Sequence, residues 1–323
     1  MYNLNKGSDF SGILILEPEG FSVKVIDKLK ARSENVFFGL DDATHCDIVD
    51  VIFVRLSRYI DTKFVNKFKN LKFIVSPTTG YTHFSSEILN SQSFKVLTLK
   101  NKTNELSAIT STPELAWGLM LSLVRNIPSA NCDVIKGNWC RDKFKGKQIS
   151  GLKIGIIGFG RVGQKLAEYA KAFGSEVVWT DLKNVTCDPD LLVRQVDLCT
   201  IASSCDVIFV TASYTLGDKY IIDKNFLSEV KRKPFIINVS RANLLDEEAT
   251  LRSLEMGRIS GVAADVIDGD EIMDIQTSRL WRAAKMMQNV LLTPHIGGCT
   301  TQGMEFTEAL AADLLFNELS GEE

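Results

Sequence analysis

The sequence predicts an α/β protein made of two doubly wound parallel-sheet domains, and three observations carry that expectation. Short apolar runs alternate with amphipathic stretches along nearly the whole chain, as the strands and crossover helices of a parallel sheet do. One polar, aperiodic stretch, residues 100–112 (KNKTNELSAITST), interrupts the alternation and reads as a crossing between domains. The length, 323 residues, suits two domains at about 150 residues each.

The elements follow in order. Gly12–Leu16 (GILIL) reads as a buried strand and Phe21–Ala31 as a helix with Val23, Ile26 and Leu29 apolar. Val51–Leu56 is a second strand, after which Asp61 or Thr62 can cap a helix that buries Phe64, Val65 and Phe68. Leu71–Ser76 is a strand, residues 77–80 (PTTG) a turn, and a weaker helix near 83–90 precedes the strand Lys95–Leu99. Past the polar stretch, Thr112 is the expected N-cap, with Pro113 in a first turn that tolerates proline. The helix Glu114–Arg125 is apolar nearly all round and is expected to be buried on several sides, between domains or subunits. The loop Asn138–Gly151 carries Arg141, Lys143, Lys145 and Lys147 and reads as a solvated edge. Strands are expected at 153–157, 176–180, 206–211, 235–239, 260–264 and 289–292, and a last helix at 300–319 with Met304, Ala311, Leu314 and Leu315 apolar.

Composition excludes several classes. Hydrophobic residues at 45% and charged residues at 24% are ordinary for a globular protein and unlike a disordered chain. Lys plus Arg is 37 against 40 Asp plus Glu, a net charge of −3, so no global footprint for nucleic acid or an anionic membrane exists. No apolar run approaches the about 18 residues of a membrane span. The N-terminal MYNLNKGSDF lacks a signal-peptide core, so a cytoplasmic protein is expected. The seven cysteines (46, 132, 140, 187, 199, 205 and 299) form no C-x-x-C pair. They read as reduced thiols, with no structural metal site. Only three histidines occur, His45, His83 and His295.

Residues 153–163 (KIGIIGFGRVG) place Gly158, Gly160 and Gly163 in a G-x-G-x-x-G motif. An apolar strand precedes it. A helix follows, with Val162, Leu166, Ala170 and Phe173 on one face and Gly174 as its stop. The next strand, EVVWT, ends at Asp181, 18 positions after Gly163. Gly158 permits the tight turn, Gly160 lets the backbone approach a pyrophosphate, and Gly163 lets helix and strand pack closely. The helix N-terminus offers N–H groups and partial positive charge to phosphates. Asp181 can accept hydrogen bonds from ribose hydroxyls and would repel a 2′-phosphate, which favours NAD over NADP. With Arg161 and Val162 these residues form the expected cofactor set. A ligand-free glycine turn, or a methyltransferase using S-adenosylmethionine, would share part of the pattern.

Three further segments each deliver a polar group at the end of an apolar strand. Arg241 stands in FIINVSRANLLDE (235–247), Asp265, Asp270 and Glu271 in GVAADVIDGDE (261–271), and His295 in LLTPHIGG (291–298). Each alone is more often structural. Together, at strand ends that face a ligand crevice, they suit hydride transfer on a 2-oxo acid. The arginine binds the substrate carboxylate and polarises the carbonyl, the histidine protonates the carbonyl oxygen, and the acid fixes the histidine tautomer.

With these residues in place the chain resembles the D-isomer-specific 2-hydroxyacid dehydrogenase family, phosphoglycerate dehydrogenase-like. The matching segments are GIIGFGRVGQKLA, INVSRANLLDEE, GVAADV and LLTPHIGG, with weaker matches at 76–84 (SPTTGYTHF) and 111–125. The resemblance implies that Arg241 anchors the substrate, that His295 is the acid/base and that Asp270 stands where the family has a glutamate paired to it. It also implies that Asp265 holds the nicotinamide carboxamide and that backbone N–H groups around Thr78, Thr79 and Gly80 receive the substrate carboxylate. The implied architecture is a Rossmann NAD-binding domain, 106–295, inserted into a flavodoxin-like substrate domain, 1–105 plus 296–323. A homodimer built around the helix near Pro113 is implied as well.

Three departures stand out. Asp270 is one methylene shorter than glutamate, so its carboxylate must approach differently or Glu271 must serve. Thr211-Ala212-Ser213 replaces a frequent His-x-Pro, and Thr82 replaces an aspartate. The expected activity is NAD-dependent interconversion of a small 2-oxo acid and its D-2-hydroxy acid. A binding module that senses NAD, corepressor-like and with little turnover, is the alternative. A formate dehydrogenase is disfavoured by the acid at 270, where those relatives carry glutamine. Tyr81, Arg55 and Trp281 could face the substrate, and each is more readily structural.

Overall fold

The computed structural model describes residues 8–39, 45–186, 188–213, 220–272 and 274–321. The chain divides into two compact units: Met1–Ala108 with Glu271–Met273 and Thr300–Glu323, and Ile109–Asp270 with Asp274–Cys299.

In the first unit, β1 (Ile13–Ile15), α1 (Val23–Lys30), β2 (Val36–Phe38), β3 (Val51–Phe53), α2 (Thr62–Val65), β4 (Phe73–Ser76), α3 (Ser86–Leu89) and β5 (Lys95–Thr98) follow one another. Among the described residues the strands form a parallel sheet in the order β2-β1-β3-β4-β5, the flavodoxin-like order. Strand side chains alternate between faces. Ile13, Ile15, Val51 and Phe53 therefore pack with Val25 and Leu29 on one side, and Leu14, Ile52 and Ile74 with Phe64 and Ile88 on the other. Asp61 is the residue that caps α2, accepting the Phe64 N–H at 2.8 Å. The edge strand β2 is not among the expected strands; it is a three-residue apolar run (VFF), only partly buried.

This sheet reverses its strand order between β1 and β3, where α/β sheets open a crevice. Here Arg55 fills it. Its guanidinium donates to the Glu17 and Glu19 carbonyls at 2.7 and 2.8 Å and lies 3.4 Å from the buried Glu308 carboxylate.

In the second unit come α4 (Ser111–Val124), α5 (Ile127–Ile135), β6 (Lys153–Ile157), α6 (Arg161–Ala172), β7 (Glu176–Thr180), β8 (Arg194–Gln195), α7 (Leu198–Ser204), β9 (Val207–Val210), α8 (Lys224–Ser228), β10 (Phe235–Asn238), α9 (Glu247–Glu255), β11 (Gly261–Ala264), α10 (Arg279–Ala284) and β12 (Val290–Leu292). The parallel order is β12-β11-β10-β9-β6-β7-β8 among the described residues. The core strands β6, β9, β10 and β11 are almost wholly buried, as a sheet covered on both faces requires.

One expectation here needs correcting. The helix α4 begins at Ser111, so Thr112 lies inside it and is not its N-cap. Thr110 takes that position without a side-chain cap bond. α4 is buried against α6, β10 and β11 of its own unit. The helix that follows, α5, is not expected from the sequence; it and the residues after it carry exposed apolar side chains, Ile127, Val134, Ile135 and Trp139. The last helix, α11 (Thr301–Ser320), belongs to the first unit, is capped by Thr300 and ends at Gly321 in a left-handed conformation. Among the described residues no helix is long and apolar enough to cross a membrane.

Candidate active site

The second sheet reverses its strand order between β6 and β9, and the glycine motif stands there. Gly158 has φ +95°, and a Cβ on it would run into the backbone of Ala212. The loop is held from the same side by Thr211, whose hydroxyl donates to the Gly158 carbonyl at 2.6 Å. A Cβ on Gly163 would strike the Gly158 carbonyl oxygen, so α6 can sit this close only with glycine. Gly160 differs: nothing lies within 4 Å of a Cβ there, and the space beside its backbone is open. Phe159 between them is fully buried and stacks on Trp179, ring centroids 4.3 Å apart.

Asp181, one residue past β7, accepts the Phe159 N–H at 2.7 Å and the Lys183 N–H at 2.9 Å. Each carboxylate oxygen keeps further lone-pair capacity for a hydroxyl donor. The Arg161 guanidinium donates to the Ile109 carbonyl, and burial pulls its pKa down. Val162 follows Arg161 in the first turn of α6. An open backbone approach at Gly160, a helix N-terminus and an acid at the second strand end together fit a dinucleotide.

Arg241, Asp265 and His295 follow the ends of three adjacent strands. Asn238 of β10 pairs with Ala264 of β11, which pairs with Leu292 of β12. The turn to Arg241 is shaped by Asn238: its amide donates to the Arg241 carbonyl at 2.9 Å and its side-chain oxygen accepts the Ser240 N–H at 3.1 Å. The Arg241 guanidinium donates to the Ser240 carbonyl at 2.6 Å and is half-buried.

His295 adopts φ +54°, a left-handed backbone uncommon for a non-glycine residue. Its N–H donates to the Asp265 and Thr293 carbonyls at 2.9 and 3.0 Å. The Asp265 carboxylate accepts from the Thr293 hydroxyl at 2.6 Å and from the Ile296 and Gly297 N–H groups at 2.9 and 2.7 Å. Asp265 therefore shapes the histidine loop. Burial pushes its pKa up despite these three bonds and the nearby His295. Asp270 Oδ2 lies 3.4 Å from His295 Nδ1, the two side chains being 13% and 29% exposed. Among the described side chains of residues 268–271 it is Asp270 that stands at the histidine; the Glu271 side chain lies outside the described ones.

In the first unit the Thr78–Gly80 turn follows β4. The Thr78 hydroxyl donates to the Gly80 carbonyl at 2.7 Å, and the Thr78 carbonyl accepts the Leu99 N–H at 2.9 Å. Tyr81 receives the Lys100 ammonium on its hydroxyl at 2.8 Å. The Lys285 ammonium sits 3.4 Å from the Trp281 ring centroid. Thr211 and Ala212 stand out in the sequence only as a departure from His-x-Pro, and Asn238 and Ser240 are not singled out by it; the signal for these two is their place at the end of an apolar strand.

Half-buried Asp268 has a pKa pushed up to about 6, first by burial and then by the charges of Glu247, Asp270 and Asp246. A carboxyl with a raised folded pKa keeps its proton longer in the folded state, so stability falls as pH rises from about 4 through about 6. Asp268→Asn should therefore stabilise the protein by about 1 kcal/mol at pH 7, after discounting for solvent screening, and by nothing below pH about 4. Melting temperatures of both proteins across that range check this. A gap independent of pH would contradict it.

Comparison with known proteins follows the same lines. The family model described as the NAD-binding domain of the D-isomer-specific 2-hydroxyacid dehydrogenases matches residues 117–297. A hydroxypyruvate reductase of Thermotoga maritima is 30% identical over 271 residues, 84% of this chain and 85% of that protein. Among solved structures, the pyruvate reductase of Chlamydomonas reinhardtii superposes with a TM-score of 0.84 at 18% identity, covering 98% of each chain. A D-lactate dehydrogenase from Aquifex aeolicus, complexed with NAD and lactic acid, gives 0.80 at 21% identity over 97% of this chain and 96% of that one.

Proposed function

The chain belongs to the D-isomer-specific 2-hydroxyacid dehydrogenase family and is an NAD-dependent oxidoreductase, and on that premise we propose how its own residues divide the work. Arg241 receives the carboxylate of a small 2-oxo acid through its planar fork. The backbone N–H groups of Thr78, Thr79 and Gly80 have the same task. His295 gives a proton to the carbonyl oxygen during reduction and takes it back during oxidation of the D-2-hydroxy acid. Asp270 holds the imidazole from the Nδ1 side, which leaves Nε2 for the substrate.

NAD(H), when bound, supplies or accepts the hydride. Gly160, Arg161 and Val162, on the turn that Gly158 and Gly163 shape, would hold its pyrophosphate, Asp181 its adenosine ribose hydroxyls, and Asp265 its carboxamide through remaining lone-pair capacity. The observation that carries this reading is the approach of Asp270 to His295, at 3.4 Å, on the sheet edge where the glycine motif leaves open space.

The names of the relatives make hydroxypyruvate and pyruvate the first substrates to try, followed by larger and phosphorylated 2-oxo acids. Folded protein should oxidise NADH with at least one of them. With NADPH the same substrate should give at least about tenfold lower kcat/KM, because the 2′-phosphate meets the Asp181 carboxylate. No turnover across the panel would end the dehydrogenase reading. Equal use of NADPH would end the role given to Asp181.

A further inference from the structure

Glu247 opens α9 and is 3% exposed. A carboxylate buried so deeply is tolerated only when its oxygens are satisfied. Its oxygens accept from four donors. The Asp268 N–H lies 3.0 Å from Oε1, and the Ser278 hydroxyl 2.8 and 3.0 Å from the two oxygens. The Arg279 and Leu280 N–H groups lie 2.5 and 3.0 Å from Oε2. These donors are the two feet of one loop. Asp268 is where the chain leaves the end of β11, and Ser278–Leu280 is where it enters α10. Between the feet lies Asp270, two residues from the first.

Asp270 has little tolerance for displacement. Its Oδ2 is buried, without a hydrogen bond of good geometry, and meets His295 Nδ1 only at 3.4 Å. Inside the loop the Asp274 N–H donates to the Gly269 carbonyl at 2.9 Å and the Thr277 hydroxyl to the Asp274 carbonyl at 2.7 Å. The described residues at the two ends of the loop are thus tied to each other, and both feet are tied to Glu247.

We propose that Glu247 is a positioning residue for the acid/base pair: by binding both feet of the 268–278 loop, its carboxylate sets the distance from Asp270 to His295. The proposal rests on the dehydrogenase reading for its consequence in turnover, and on geometry alone for the pairing itself. Glu247→Gln turns an acceptor into an NH₂ donor that faces N–H groups, so at least one foot is released. A misplacement on the order of 1 Å at a reacting group costs up to about a hundredfold.

The test uses Glu247→Gln, Asp270→Glu and the double variant of the full chain. Glu247→Gln should lower kcat between about ten- and a hundredfold, with KM for NADH unchanged. Asp270→Glu should give no gain in the parent but restore most of the loss in the Glu247→Gln background, because a longer acid spans a displaced loop. An independent readout comes from His295. With three histidines in the sequence, its imidazole NMR signals are assignable by deletion. In Glu247→Gln they should move to where Asp270→Asn puts them.

Unmoved His295 signals in folded Glu247→Gln, or no recovery in the double variant, overturn the proposal. If Glu247→Gln does not fold, Ser278→Ala removes one foot's hydroxyl, keeps the backbone donors and should show both effects at smaller size; its failure to do so counts equally against it. If the parent enzyme turns over no 2-oxo acid, the dehydrogenase reading falls while the His295 signals still decide the pairing.

Discussion

Replacing His295 by asparagine is expected to lower kcat by a factor of between about 10² and 10⁴, the usual worth of a positioned general acid, while NADH binding stays within a factor of about two. Asparagine is the informative choice because of the backbone. At φ +54° most side chains are strained, and asparagine is among the few that visit this region readily. The N–H bonds to Asp265 and Thr293 and the Asp265 clamp on residues 293–297 involve no imidazole atom. The loop should survive, and what is removed is the titratable proton. NADH affinity from fluorescence titration, measured beside steady-state rates, separates the two effects. A fall in kcat of less than tenfold would show that another group delivers the proton.

Gly158→Ala is the second large expectation, and its cause is steric. The residue needs φ +95°, and the new methyl would occupy the space of the Ala212 backbone. Backbone strain of about 1–3 kcal/mol and overpacking of about 1–3 kcal/mol fall on one loop, and neither can relax without moving β9 or β6. NADH affinity should drop at least about a hundredfold, together with a lower melting temperature. Gly160→Ala is its contrast. Nothing surrounds that position, so the melting temperature should hold while the methyl intrudes on the space proposed for the pyrophosphate, and only NADH binding weakens. Near-parental NADH affinity in Gly158→Ala would show that the loop shifts without cost and that Ala212 is no wall.

The parts of this molecule legible in the sequence are those written in local pattern. Buried parallel strands such as Ile154–Ile157 and Val207–Val210 are apolar runs bounded by turns, and the G-x-G-x-x-G motif lies between a strand and a helix with an acid at the next strand end. Strand ends also brought Arg241, Asp265 and His295 forward, because parallel order puts all C-terminal ends on one edge. What stayed hidden depends on contacts between residues far apart in sequence. Glu247 reads as an ordinary acid in a helix first turn; its burial arises from Asp268 and Ser278–Leu280, which are 21 to 33 positions away. The cap of α4 is not legible because Thr110, Ser111 and Thr112 are chemically alike as caps, and the N-cap is Thr110 with no side-chain cap bond to mark it. α5 was missed because no residue in it is buried, so no single apolar stripe marks it. The approach of Asp270 to His295 is a matter of loop geometry that spacing does not encode.

The Arg55 cluster has a bearing on stoichiometry. Both sheets reverse their strand order once, and each reversal makes a crevice of the kind that holds a nucleotide. In the second sheet the crevice is lined by Gly160 and stays open. In the first, an internal cation occupies it, tied to the Glu17 and Glu19 carbonyls and to Glu308. Among the described residues the two frames are alike in topology, and open space beside the backbone is found at Gly160 of the second. The chain should saturate at one equivalent of dinucleotide per polypeptide, with the first unit's counterpart occupied from within by its own arginine.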